Sequence, residues 1–461
     1  MKRIIFLIFL SIGQSFLAQV VLSDSMFFEI LLRNHPLAKQ ANLLPSFGEN
    51  SVLKAKGGFD PKAYHQTDQK YYNGSQYYSL MNSGLKLPTW YGIEVKTGFE
   101  NNRGSYYNPQ NKTPNGGLWY GGVAVNLGQG LFIDQRRAEL FKAKIYQNSS
   151  VFEQKLQLNE LVYEAGYSYW SWFMAHHSYE VLQEAMILAQ TRLEAISRMA
   201  ELGDRPAIDT VEAKIQVQSR ESMLRQLEAD LQKGRLKLDT YLWSESGDPL
   251  VLDSLTMPNP NSNLKLQSKS DFNSLLVDSV ISNHPYLKIA NFKIESLEVE
   301  KRLKKEMLKP QLNLQYNLLN EPINYNPFDA VSINNYKWGV SFEMPLFLRK
   351  ERGDLALADL KVKDATFQMD NSLASINYKI QSSLVDLENS KEQLEIYQKT
   401  VLDTKALLDA ERNMFNNGES SLFLINARET AYIQAKLKFI ELLAKNQQAV
   451  IALKFALAKL L

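Results

Sequence analysis

The sequence predicts an α+β chain made of two tandem copies of one unit, each running helix, strands, very long helix, tight turn, shorter helix. Three observations carry this reading. The nine residues Asn34-His35-Pro36-Leu37-Ala38-Lys39-Gln40-Ala41-Asn42 return as Asn283-His284-Pro285-Tyr286-Leu287-Lys288-Ile289-Ala290-Asn291, six of them identical, at an offset of 249. Pro61 answers to Pro310 and Gln66 to Gln315 at that offset; Leu131-Phe132 then answers to Leu346-Phe347, and Gly203 to Gly418, at an offset of 215. Finally, each copy holds a stretch of about 68 residues with no proline and a single glycine (Gly166 or Gly353), far beyond the dozen residues of an ordinary globular helix. A repeat of this size excludes a short-period solenoid.

The fall in offset leaves the first copy with 34 residues more than the second, all between Pro61 and Leu131. The expected division is a signal peptide at 1–18, a first repeat at 19–246, a linker at 247–270 and a second repeat at 271–461. Met1-Lys2-Arg3 followed by the short apolar run Ile4–Leu10 reads as secretory. It is too short to span a bilayer, which takes about 20 residues. No later run is apolar enough to cross a membrane as a helix, so a membrane-embedded form of this chain must use strands. The linker is marked by Pro258-Asn259-Pro260-Asn261.

Residues 25–56 read as helix broken at Asn34–Pro36 and again near Pro45, because proline is tolerated only in a first turn. The matching segment, about 272–308, has no counterpart of Pro45 and reads as cleaner helix. Strands fall at about 61–131 and 310–346, where apolar and polar residues alternate with period two. Ile93, Val95, Thr97 and Phe99 alternate with Glu94, Lys96 and Gly98; Val123 and Val125 do so with Ala124 and Asn126. In the second copy Leu312, Leu314 and Tyr316 alternate with Asn313 and Gln315, and Trp338, Val340 and Phe342 with Gly339 and Ser341. Tyr71, Tyr72, Tyr77, Tyr78, Trp90, Tyr106, Trp119 and Tyr336 crowd the strand ends. This pattern fits an outer-membrane barrel and equally a soluble antiparallel sheet with one wet face.

Long helices follow at 133–202 and 349–417, each about 100 Å at 1.5 Å per residue. Leu387, Leu394, Val401, Leu408 and Phe415 recur every seven residues, with Trp172, Tyr179, Met186, Leu193 and Ala200 at the equivalent places, which calls for coiled-coil packing. Gly203 and Gly418 are stop signals, and return helices are expected at 208–243 and 422–460. Each copy thus reads as one long rod beside two short ones stacked end to end.

Several residues carry a family resemblance. The Asn-His-Pro near the start of each unit, Gly58-Phe59-Asp60-Pro61 at the first strand, Pro345-Leu346-Phe347 after the last, and Gly203 followed by Asp209-Thr210-Val211-Glu212-Ala213 together resemble the outer-membrane efflux protein family, the TolC-like channels. The resemblance covers nearly the whole mature chain and rests on order and duplicate spacing. It implies an α+β membrane protein: a long coiled-coil α-helical barrel continuous with an outer-membrane β-barrel, formed as a homotrimer of two-repeat protomers. It also implies a periplasmic adaptor (membrane fusion) protein and an inner-membrane pump as partners, and four strands per protomer in a shared twelve-strand barrel. Physics adds that four strands cannot close a barrel alone, so their edges demand partners. The chain departs from the family at Gly128-Gln129-Gly130, where a proline usually precedes the Leu. The 34 extra residues could supply another hairpin, roughly 76–87 with 90–101; the ordinary twelve strands are expected.

Family pores narrow through acidic residues on the second return helix; the matching positions here are Phe423 and Asn426. Asp209 and Glu212, three apart and on one helix face, are the alternative gate candidates, although Asp209 also suits a helix start on dipole grounds alone. Leu202, Gly203, Asn417 and Gly418 mark the tips and are candidate adaptor-docking residues, or plain turn chemistry. His176 and His177 are adjacent, hence about 100° apart on a helix, and no metal is expected there. His35 and His284 read as structural, and Tyr163, Tyr167, Tyr169, Trp170, Trp172 and Phe173 as packing. Net charge is +2, which gives no case for nucleic acid, and there is no cysteine for disulfides, thiolate sites or nucleophiles. No G-x-S-x-G, P-loop or H-E-x-x-H is present, so neither enzyme nor cofactor is expected. The function implied is an exit duct for efflux or type I secretion; the alternative from another class is a secreted coiled-coil scaffold or adhesin.

Overall fold

The structure, a computed structural model, describes residues 21–253, 255–260, 281, 283–321 and 332–461. The expected signal peptide and the linker beyond residue 260 lie outside them. Seven helices are described: α1 (Asp24–Asn34), α2 (Pro36–Lys56), α3 (Gln135–Glu201), α4 (Ala207–Asp239), α5 (Pro285–Glu306), α6 (Arg349–Asn416) and α7 (Leu422–Ala456). Two compact units divide the chain, and they do not coincide with the repeats. One draws on residues within 1–40, 157–280 and 377–461, the other on 41–156 and 281–376.

The Asn-His-Pro motif is a helix start. His284 caps α5, its Nδ1 accepting the Tyr286 amide at 3.3 Å, and Pro285 takes the first helical position, where its missing N–H costs nothing. His35 accepts the Leu37 amide at 3.2 Å in the same way before Pro36. Both residues before proline are extended, as the ring requires. Both imidazoles are buried, and burial lowers the pKa of His35 against an opposing backbone hydrogen bond.

The expected break at Pro45 does not occur: α2 runs through it. Packing outweighs the lost hydrogen bond. At Gly48 the backbone of α2 meets α3 so closely that a Cβ would lie 2.6 Å from Ser150 Oγ.

The second unit holds a six-stranded antiparallel sheet in the order β2 (Lys62–Tyr72), β3 (Ser75–Pro88), β4 (Ile93–Arg103), β5 (Leu118–Asn126), β7 (Gln311–Asn320), β8 (Tyr336–Glu343). The strands β1 (Val21–Leu22) and β6 (Met257–Pro258) pair separately in the first unit. The expectation of four strands is therefore corrected to six. The extra residues of the first repeat are built into the sheet, with β2 and β3 joined by Asn73-Gly74, both at positive φ as a two-residue hairpin requires. Gly130 explains the missing proline: its φ of +87° is closed to a pyrrolidine ring. Gly128 packs against the Pro310 carbonyl where no side chain fits, and Arg137 clamps the carbonyls of Gly130 and Leu131.

Register sorts the sheet into two faces. Ile93, Val125, Leu314 and Val340 stand in one cross-strand row; Leu87, Val95, Val123, Tyr316 and Trp338 form the next; Leu312 faces Phe342 beyond. Most of these side chains lie open to the surroundings, Phe342 at 66% and Val340 at 54% exposure, while Val125, Leu312 and Leu314 are half-buried. The opposite face carries Lys86, Lys96, Glu94, Asn317, Gln315 and Ser341, and borders a cleft of about 670 Å³ that Arg136 and Glu306 also line. Strand β2 is the exception. Ala63, His65, Thr67 and Gln69 are on the side of the apolar rows, and Lys62, Tyr64, Gln66 and Asp68 on the other, so it is largely polar on both.

In the first unit the aromatic run of α3 is core. Tyr169, Trp170, Trp172 and Phe173 are fully buried with Phe27 and Leu31 of α1, Leu238, Leu394 of α6, and Leu442 and Leu443 of α7. The heptad residues Leu387, Leu394 and Leu408 are buried, as seven-residue packing requires.

Candidate gate cluster and helix tips

Both long helices end in the same turn. Gly203 (φ +82°) donates to the Ala200 carbonyl at 3.2 Å and Asp204 to Met199 at 2.9 Å; Gly418 (φ +78°) donates to Phe415 at 3.0 Å and Glu419 to Met414 at 2.9 Å. This is the 6→1 and 5→2 pairing of a Schellman ending, repeated at the 215 offset. Leu202 is 71% exposed at one tip. Asn417 and Gly418 are exposed at the other, and exposed Ile208, Val211 and Phe423 lie beyond the two turns. So the four tip candidates are open, and they are also ordinary turn residues.

A buried ionic cluster lies within about four turns of these ends, built by one residue from each of four helices. Glu429 of α7 has a side chain only 2% exposed. Arg192 of α3 forks onto it at 2.6 and 3.2 Å, Arg220 of α4 reaches it at 2.6 Å and Arg412 of α6 at 3.3 Å. Arg220 also donates to the Ala185 carbonyl at 2.9 Å. Burial pulls the Glu429 carboxyl upward, and the charge and hydrogen bonds of Arg192 and Arg220 overcome it, so the net shift is downward.

The gate candidates join this cluster unequally. Asn426 is buried, accepting from Arg192 at 3.1 Å and donating to Glu212 at 3.0 Å. Asp209 stands apart, 3.8 Å from Arg205 one turn before it, whose guanidinium lies over the Phe415 ring. Phe423 is 67% exposed and outside the cluster. Sequence reasoning found Asn426 and Glu212 but missed Glu429 and its three arginines, because nothing local marks residues that meet from positions 192, 220, 412 and 429.

The second residue set that the sequence did not bring together is His176, His177 and Glu180, whose ligand atoms lie within 4.8 Å of one another. First His176 and then His177 draw the Glu180 carboxyl well below the ordinary range, against the upward pull of burial.

Residues 276–459 match the family described as Outer membrane efflux protein. That match lies within the second repeat. The CmeC outer membrane channel of Campylobacter jejuni has the same fold at a TM-score of 0.67 and 13% identity, over 95% of this chain and 85% of that one. The open-state MtrE channel of Neisseria gonorrhoeae gives 0.68 and 14%, over 94% and 88%. VceC of Vibrio cholerae gives 0.65 and 13%, over 94% and 96%. No curated protein matches in sequence. The two-faced sheet and long helices described here are the fold of these outer-membrane channels.

Proposed function

We propose that this protein is the outer-membrane exit duct of a tripartite efflux or type I secretion system, passing substrates from the periplasm and an inner-membrane pump to the exterior. The observation that carries the reading is the open six-stranded sheet, apolar on one face and polar on the other, with β2 and β8 as its edges. Such a sheet needs copies of itself to close. Assembly as a homotrimer, the family's oligomer, gives eighteen strands. At strand spacings of about 4.8 Å and tilts of about 40°, that barrel is about 36 Å across, against about 24 Å for twelve strands. A barrel of this strand number leaves a water-filled channel. The exposed tips around Leu202, Gly203, Asn417 and Gly418 serve the periplasmic adaptor. Asp209 and Glu212 line the narrowing, where an acidic ring favours cations.

Because the chain has no cysteine, pairs of cysteines scanned along the outer edges of β2 and β8 report the closure directly. Cross-linked trimer on denaturing gels, with single-channel conductance above that of a twelve-strand relative, supports the duct. Protein that washes off outer membranes with carbonate refutes it. Neutralising Asp209 and Glu212 together is expected to change conductance or cation selectivity in planar bilayers; no change in either removes them from the gate.

A further inference from the structure

Helix α3 carries His176, His177 and Glu180 inside the first unit. Glu180 is four residues from one histidine and three from the other, so it stands between them one turn on, and both imidazoles fold toward its carboxylate. His176 Nε2 is 3.4 Å from Oε1 and His177 Nδ1 is 2.7 Å from Oε2. The other nitrogen of His177, Nε2, is 3.0 Å from the Asn259 carbonyl. A carbonyl only accepts, so Nε2 carries a proton and donates it. Nδ1 faces the carboxylate, and in a neutral ring it would meet it acceptor against acceptor unless a proton or a metal ion stands between them. His176 is 8% exposed; its Nε2 has only the 3.4 Å contact with Glu180, short of a formed hydrogen bond, and its Nδ1 has no hydrogen bond. A buried imidazole nitrogen without a hydrogen bond calls for a partner, and an ion is one.

We propose that His176, His177 and Glu180 bind a divalent transition-metal ion of the zinc class. Two imidazoles and one carboxylate are a known three-ligand set for zinc, with the fourth position open. Imidazole ligands disfavour calcium and magnesium, which take oxygen. Ligand atoms around a tetrahedral ion at about 2.0–2.1 Å stand about 3.3 Å apart, and the three here already lie within 4.8 Å of one another. The Asn259 carbonyl is the outer partner that ligating histidines ordinarily have. Glu180 is 46% exposed and borders a cleft of about 440 Å³ with Glu184, Lys436 and Phe439, which gives the ion an entry and room for a water. The bound ion ties α3 to the segment that carries Asn259.

The test uses the full mature chain in detergent, without a histidine tag, stripped with chelator and titrated with zinc by calorimetry and with cobalt by absorption. The expected result is one ion per chain and cobalt visible bands of a four-coordinate site. Glu180→Gln, half-exposed and isosteric, is expected to lower affinity at least tenfold with the helical circular dichroism unchanged. His65→Ala, on a strand of the other unit, leaves binding intact. Wild-type protein that shows no cobalt bands, or equal affinity in Glu180→Gln, overturns the proposal.

Discussion

Replacing Glu429 by Gln removes one charge from the point where α3, α4, α6 and α7 meet. The carboxylate receives four hydrogen bonds from three guanidiniums. The arginine side chains differ in exposure: Arg220 is 5% exposed, Arg192 17% and Arg412 37%. Without the carboxylate Arg220 keeps only the Ala185 carbonyl, and Arg192 only Asn426. Two buried cations lose their counter-ion, which costs about 3–5 kcal/mol when one partner of a buried pair is removed. Arg412 is exposed enough for water to screen it, and its own removal should cost about 1 kcal/mol or less. The assay is thermal and denaturant unfolding of the detergent-solubilised trimer, with bilayer conductance beside it. Glu429→Gln should unfold at clearly lower temperature and open more readily, while Arg412→Ala should stay near wild type. Equal midpoints for wild type and Glu429→Gln would refute the idea that this cluster holds the four helices together. Acidity probes the same bond. The folded pKa of Glu429 lies below its unfolded value, so its stabilisation is complete above the unfolded value of about 4.3. It fades as pH falls below that point toward the folded pKa. Unfolding attributable to Glu429 should therefore begin below about pH 4 and not between pH 5 and 8.

Other outcomes follow from the sheet and the tips. Leu314→Arg or Val340→Arg, on the apolar face, should cost about 2–4 kcal/mol at bilayer depth, read by urea unfolding from lipid vesicles, whereas Gln315→Lys on the polar face should fold normally and shift ion selectivity. Gly203→Val and Gly418→Val force a branched side chain into left-handed backbone. Each should lower stability by about 1–2 kcal/mol, and binding of a purified adaptor should fall in parallel if the tips dock it.

What could be read from the sequence divides along the reach of each signal. Duplication, heptads and helix stops are local or strictly periodic, and the helices, twin turns and buried Leu387 and Leu394 stand where that arithmetic put them. The strand count did not come through. Alternation reports a strand only when its two faces differ, and β2, with His65, Thr67 and Gln69 backing onto Gln66 and Asp68, has no such contrast. Pro45 misled because a ring inside a helix is costly in isolation, whereas α2 is held by the close approach at Gly48. The angle between two neighbouring histidines speaks only to the pair; that Glu180 stands beside both of them, one turn on, is a feature that the helix geometry adds. Glu429 had no signal, since each of its partners sits on a different helix.

The polar character of β2 bears on how such a protein reaches its membrane. Before assembly each newly exported protomer presents two unpaired edges to a crowded compartment, and an apolar edge there would nucleate aggregates. Lys62, Asp68 and Lys70 lie along one of those edges, where charges of this kind keep exposed strands in solution. In the proposed eighteen-strand barrel the added hairpin would thus guard the protomer before assembly, and a shortened variant without it should be prone to inclusion bodies even if its remaining strands are sound.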